Sequence, residues 1–273
     1  MSPCKERVCS RLRGFDQVLP SAATVFMVIS ENGHLCHRVE IELSPLNMIK
    51  NSTAEKTQTE GKKPAHEQVY QTLKAQILFG EMAPGQAVTI QGLTDSLGVG
   101  MTPVREAIRR LISDGALMFQ GNRRVSVPVL SANDIEQLIY VRISIESELA
   151  RRAAQRVTTA DIDQLETLDQ ALDAAIAAGD VPKYLRFNHA FHTALYAHAN
   201  APIMMDLADR LWLRFGPSLR VVCGRFGTQN LPDRHKDMLV AMRNRDADGV
   251  AKAMEQDVSQ GTEMMIEVLS EAR

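Results

Sequence analysis

GLTDSLGVGMTPVREAIRRL, residues Gly92 to Leu111, is the stretch that decides the fold. It sets two short amphipathic helical patterns either side of a tight, glycine-containing turn. Leu93, Leu97, Val99, Val104, Ile108 and Leu111 supply the buried side, while Arg105, Arg109 and Arg110 belong to the second helix. That helix is expected to open at Thr102-Pro103, because Thr caps a helix start well and Pro suits the first helical position. A basic helix braced by a packed first helix is the device that enters a DNA major groove, where Arg reaches phosphates and base edges.

Working outward, the segment from His66 places Val69, Leu73, Ile77 and Leu78 on one side of a helix that stops at Gly80, a usual residue just past a helix end. Downstream, Ala116–Phe119 and Val125–Val127 read as two short strands joined by Gln120-Gly121-Asn122-Arg123-Arg124. A hairpin after such a helix is a wing. From Ser131 onward the pattern is helical, with capping-box starts at Ser131/Asp134 and Thr158/Asp161 and N-cap signals at Asp180 and Asn200. The expected helices are roughly 131–156, 159–178, 181–198, 201–215, 217–226, 231–243 and 246–271.

The composition agrees with a mainly α protein: aromatics are 5%, Met reaches 13 and hydrophobic residues 45%, enough for a sizeable core in 273 residues. The net charge is −2, which carries no global nucleic-acid signature, but charge is unevenly distributed. Residues 129–273 hold 16 Lys and Arg against 21 Asp and Glu, while 66–128 hold 6 against 5 and concentrate their arginines in the second helix and at Arg123-Arg124. The local field therefore matters more than the total. Cys4, Cys9, Cys36 and Cys223 form no disulfide framework, and the one early apolar run, Ala22–Ile29, is too short to span a bilayer. The expectation is a cytoplasmic protein without a membrane segment.

Residues 1–62 differ from the rest, with weak periodicity and a polar tail, NSTAEKTQTEGKKP, and read as a poorly structured extension and linker. Cys4, Cys9, His34, Cys36 and His37 match no standard zinc-finger spacing. Met48 is a candidate translational start, since everything the later domains require follows it. The expected division is 1–62 extension, 63–129 winged helix-turn-helix, and 130–273 antiparallel all-α helical bundle.

Polar residues interrupt the apolar faces of that bundle. The first helix runs Ile135, Leu138, Ile139, Arg142, Glu146, Leu149, Ala153, placing two charges at i, i+4. A buried charge must be paired or bind something, so Arg142 either forms an internal ion pair with Glu146 or also reaches an anionic effector. The third helix aligns Leu185, Asn188, Phe191, His192 and Leu195; His235 leads a face with Met238, Leu239 and Met242; Asp257 falls among Val250, Met254, Gly261 and Met264. Each residue alone would be a satisfied core polar group. Two imidazoles, a carboxylate and an amide oxygen would suit a divalent transition metal such as zinc or nickel if those faces meet.

The segments ILFGEMAPG, LTDSLGVGMTPVREAIRRLISDGAL, SANDIEQLIYVRISIESELARRAA, FNHAFHTAL and RHKDMLVAMRNRD together resemble the GntR family of bacterial transcription regulators, in its FadR-like branch with a helical FCD effector domain. The resemblance covers about residues 66–271. It implies a winged helix that binds double-stranded operator DNA as a homodimer, and a bundle that senses a small molecule, often a carboxylate. Metal-binding members use Asp-x3-His and two later His; here Asn188 stands for that Asp, His192 and His235 match, and Asp257 stands for the last His. Family members commonly carry Arg where this chain has Met101, and Gly in the wing where it has Arg124. The candidate DNA-binding residues are Gln91, Thr102, Pro103, Arg105, Arg109, Arg123 and Arg124.

The expected function is a ligand-responsive regulator, a repressor, with no catalysis. Two rivals remain: a metal-dependent enzyme acting on a small acid, against which stands the lack of any HExxH pattern or nucleophile–base pair, and a DNA-binding protein whose bundle only dimerises.

Overall fold

The computed structural model describes residues 26–29, 35–38, 64–121, 124–227 and 234–271. Residues 1–59 and 60–273 form two separate units. In the first, β1 (Phe26–Ile29) pairs antiparallel with β2 (Leu35–Arg38), Phe26 opposite Arg38 and Ile29 opposite Leu35. Within the extension expected to be poorly structured, these two strands are the described residues; Phe, Val and Ile favour the pleated conformation even within a polar surrounding sequence. Of the residues weighed as zinc ligands, Cys36 and His37 lie in β2, and Cys4, Cys9 and His34 lie outside the described residues.

The second unit begins with α1 (Ala65–Leu78), which buries Val69, Tyr70, Leu73, Ile77 and Leu78. A turn leads into β3 (Ala87–Val88), then α2 (Ile90–Leu97) and α3 (Met101–Ser113). Thr89 caps α2, its Oγ1 accepting from Gly92 N at 3.1 Å, and Gly98 ends it with φ 63°. The helix-turn-helix is as expected, but α3 starts two residues early. Its N-cap is the extended Gly100, so Thr102 and Pro103 lie within the first turn and Thr102 is not the cap. The short turn after Gly98 leaves Gly100 as the last extended residue, and position overrides the better capping side chain.

β4 (Met118–Gln120) and β5 (Arg124–Ser126) form the wing, displaced by a residue or two from the expected strands. The sheet has the order β3-β5-β4, with Val88 and Phe119 both opposite Val125. The third strand, β3, was not expected; two residues are too few to display a period.

The bundle consists of α4 (Ala132–Ala154), α5 (Thr159–Ala177), α6 (Val181–Ala197), α7 (Pro202–Phe226), α8 (His235–Arg243) and α9 (Ala247–Glu271). Both capping boxes form: Ser131 Oγ accepts from Asp134 N at 3.2 Å while Ser131 N donates to Asp134 Oδ2 at 2.9 Å, and Thr158 and Asp161 repeat the exchange. Asp180 caps α6 by accepting from Lys183 N. Asn200 does not cap α7; it takes a left-handed φ of 49°, which Asn tolerates, and Ala201 is the N-cap. α8 opens at His235, residues 231–233 lying outside the described ones. Among the described residues no helix is long and apolar enough to cross a membrane.

The largest departure is α7. Two helices, 201–215 and 217–226, were expected, and at their junction stands Pro217, which lacks an N–H and crowds the preceding turn. One helix runs through it. Ala208, Trp212, Leu213 and Phe215 before the proline and Leu219, Val222 and Cys223 after it are all buried, so packing on both sides outweighs one lost backbone bond.

The winged helix is fastened to this helix. Lys74 pairs with Asp209, and Tyr70 donates to Asp114 Oδ2 at 2.9 Å, with Arg210 at 3.8 Å from the same carboxylate. At Gly216, a Cβ would lie 2.0 Å from the Leu78 carbonyl oxygen and 2.8 Å from its carbon. The backbones of α1 and α7 thus touch, and no rotamer can relieve an added methyl. Gly216→Ala gains up to about 1 kcal/mol of helix propensity but overpacks a backbone contact, a cost of about 1–3 kcal/mol. The expected outcome is a net loss of stability in urea unfolding; a variant as stable as wild type would show that the two helices separate easily.

Candidate nucleic-acid interface and metal centre

Along α3 the buried face is Val104, Ala107, Ile108 and Leu111, leaving Met101, Thr102, Arg105 and Arg109 exposed. Arg105 and Arg109 share a concavity of about 770 Å³ with Arg124 of β5, the β3–α2 corner and Phe119. Recognition helix and wing therefore present three guanidinium groups to one hollow, suited to phosphate and base-edge contact. Pro103 is half-buried beside this face. Gln91 is exposed on α2, its amide donating to Asp95 at 2.8 Å. Arg123 lies outside the described residues. Arg110 turns the other way: it donates to Glu67 Oε2 at 2.7 Å and covers the Tyr70 ring at 3.7 Å, fixing α3 to α1.

In the bundle, three of the four residues expected as ligands converge. His192 Nε2 lies 3.2 Å from His235 Nε2 and 3.2 Å from Asp257 Oδ2, and one donor atom from each falls within 4.8 Å of the others. Asn188 stands one turn before His192 on α6, half-buried.

The surroundings determine what those atoms present. Arg142 and Glu146 form a buried pair, Nε to Oε1 at 2.5 Å and Nη2 to Oε2 at 3.2 Å, and the guanidinium lies 4.4 Å from the Trp212 ring centre and 4.3 Å from that of Phe215. Glu146 also accepts from Trp212 Nε1 at 3.0 Å and Tyr196 OH at 2.6 Å. Burial, and then the Glu146 charge, push the Tyr196 phenol well above its ordinary value, so it keeps its proton. With that proton given to Glu146, the phenol oxygen is left to accept from His192 Nδ1 at 3.1 Å. The His192 proton then sits on Nδ1, and the Nε2 lone pair points at the cluster.

His235 is held more loosely: its Nδ1 lies 3.4 Å from Asp169 Oδ1, an electrostatic contact and not a hydrogen bond. Burial alone would raise the Asp257 carboxyl; when the facing rings carry protons, the hydrogen bond from His192 and the positive charges of His192 and His235 outweigh burial and hold it at about 2. Two ring nitrogens and a carboxylate oxygen thus meet where only a proton or a cation can reconcile them. Metal–nitrogen bonds of about 2.0–2.1 Å place neighbouring ligands roughly 3.0–3.4 Å apart, which the observed spacing fits.

Sequence reading missed the support of this cluster. Asp169 is buried within the apolar face Leu165, Leu168, Leu172 of α5, and the test that singled out Arg142 would have found it. Tyr196 follows His192 by one turn and is apolar enough to pass as core. His189 lies on the other flank of α6, edge-on to Trp212 at 5.3 Å and to Phe79 at 5.8 Å. Its burial lowers its pKa to about 4.

Two outcomes follow from these contacts. Tyr196→Phe keeps the ring and removes the oxygen that orients His192, so zinc affinity should fall about 10- to 100-fold in a chelator competition; unchanged affinity rejects that role. His189 is neutral in the folded chain down to about 4, whereas unfolded it protonates near 6.5. The unfolded state therefore binds the extra proton between those values, and stability should decline as pH falls from about 6.5 to 4, with no contribution above. His189→Gln should flatten that slope in urea midpoints taken across the interval; parallel curves would contradict its burial as a neutral ring.

Each of the two domains matches a known family. Residues 65–127 match the bacterial regulatory proteins of the gntR family, and residues 137–260 match the FCD domain. The HTH-type transcriptional regulator McbR of Escherichia coli K12 is 28% identical over 199 residues, 70% of this chain and 90% of that protein. Its structure aligns with a TM-score of 0.71, covering 76% of this chain and 99% of that one. The HTH-type transcriptional repressor RspR of the same strain is 26% identical over 219 residues, 79% of this chain and 95% of that protein. A regulator from the TAR-I ttuE-ttuC' intergenic region of Agrobacterium vitis is 31% identical over 134 residues, 48% of this chain and 78% of that protein. The chain therefore belongs to the GntR family of bacterial transcriptional regulators, not to an enzyme family, with a winged helix-turn-helix joined to an FCD effector-binding domain.

Proposed function

We propose that this regulator represses transcription as a homodimer on operator DNA and releases or tightens its grip when a small carboxylate joins a divalent metal in the bundle. The observation that carries this reading is the meeting of His192 Nε2, His235 Nε2 and Asp257 Oδ2, with Tyr196 behind His192 and Asp169 beside His235. A divalent ion held by two neutral imidazoles and one carboxylate keeps one net positive charge and open positions, which favours an anionic oxygen ligand. Zinc and nickel both suit the donors, with the Asn188 amide as a fourth.

Arg142 has Nε and Nη2 committed to Glu146, so it serves the site through that carboxylate. Trp212 offers a route outward: it touches His192 at 5.1 Å and His189, which meets Phe79 at the end of α1. An effector must favour one placement of the winged helix over another to change DNA affinity. Exposed Tyr140 on α4 and Ile203 on α7 supply apolar surface for a second copy, and one relative is named a repressor.

Metal analysis of freshly purified protein, followed by zinc and nickel titration, tests the reading. The wild type should hold metal stoichiometrically, and His192→Ala and His235→Ala should lose it while still shifting DNA. Organic acids should alter that shift only in the metal-loaded wild type. Metal content unchanged in both variants removes the site assignment.

A further inference from the structure

The outward ridge of α3 carries Met101, Arg105 and Arg109 at intervals of four residues, one above the other along the helix. Two of the three are the cations expected of a DNA-facing surface. The third is a large apolar side chain, 42% exposed, at the first residue of the helix. The winged-helix core does not account for it. Val104, Ala107, Ile108 and Leu111 seat α3 on the adjoining face, and Met101, at the border of that face, remains exposed. Nor does capping, which falls to the backbone of Gly100.

A recognition helix brings its first residues closest to the base edges. Of the groups displayed in the major groove, the thymine C5-methyl is apolar; the others are hydrogen-bond donors and acceptors. Methionine has no donor and only a weak sulfur acceptor, so it reads none of the polar edges, but its unbranched, polarisable chain adapts readily to an apolar contact. Arg105, one turn further along the same ridge, remains available for the polar contact that fixes register.

We infer that Met101 is a specificity-determining residue that covers a thymine methyl in each operator half-site, with Arg105 making the adjacent polar contact. The inference rests on the DNA-binding reading and adds to it which base the leading turn of α3 selects.

The test uses full-length protein, with and without added zinc, to select duplexes from a random pool. The selected duplex is then resynthesised with each dT replaced singly by dU, which removes the methyl group and leaves base pairing intact. One replacement per half-site should weaken wild-type binding about fourfold, the value of covering one methyl group. Met101→Ala should be indifferent to that replacement, and Met101→Arg should be indifferent too while preferring dG at the same position. Circular dichroism establishes that both variants are folded. The inference is overturned if no dU replacement affects the wild type, or if the Met101→Ala protein shows the same penalty. Failure to select any duplex would instead refute the DNA-binding reading, and is distinguishable from tight binding that ignores the methyl.

Discussion

A carboxylate buried in the middle of a helical bundle is the constraint around which this protein is arranged. Glu146 has no exposure, and a bare charge there would be intolerable. It is met by Arg142, Trp212 and Tyr196 from three helices, so α4, α6 and α7 are tied to a single pair of oxygens. Removing one member of such a pair typically costs about 3–5 kcal/mol because the other charge is stranded. The same saturation orients the chemistry: the Tyr196 proton is spent on Glu146, which leaves its oxygen to hold the His192 tautomer. The buried ion pair and the His192 ring are thus two ends of one hydrogen-bond chain.

The exposed side of the winged helix obeys a different constraint, that of holding cations together at the surface. Arg105, Arg109 and Arg124 surround one hollow, while Arg110, next in sequence to Arg109, is drawn into Glu67 and Tyr70. Neighbouring arginines on one helix differ in role because a helical step of one residue turns the side chain through roughly 100°.

Much of this was legible in sequence because it is local. Capping boxes at Ser131 and Thr158 fixed helix starts, and the 3.6-residue period placed Arg142, Glu146, His192 and His235 inward. What failed did so where distant contacts override local preference. Pro217 signals a break, yet burial on both sides carries α7 through it. Thr102 is the better cap, yet the turn ends at Gly100. Asp169 sits among Leu165, Leu168 and Leu172 on α5, where a single acid beside leucines does not reveal which helix it faces. The convergence of His192, His235 and Asp257 is a property of three helices packed together, which no one-dimensional period contains.

One feature of α7 bears on how such regulators diversify. Trp212, which closes the polar centre, and Gly216, which touches the backbone of α1, are a single helical turn apart, about 6 Å along the axis. The FCD and DNA-binding halves are therefore not beads on the short connection before α4; they share a helix. A recombination event that exchanged winged helices at that connection would bring together surfaces that never matched, Leu78 against a foreign α7 turn. Specificity for a new ligand and for a new operator must instead arise by substitution within one inherited frame, and the middle of α7 is the part of that frame least free to vary.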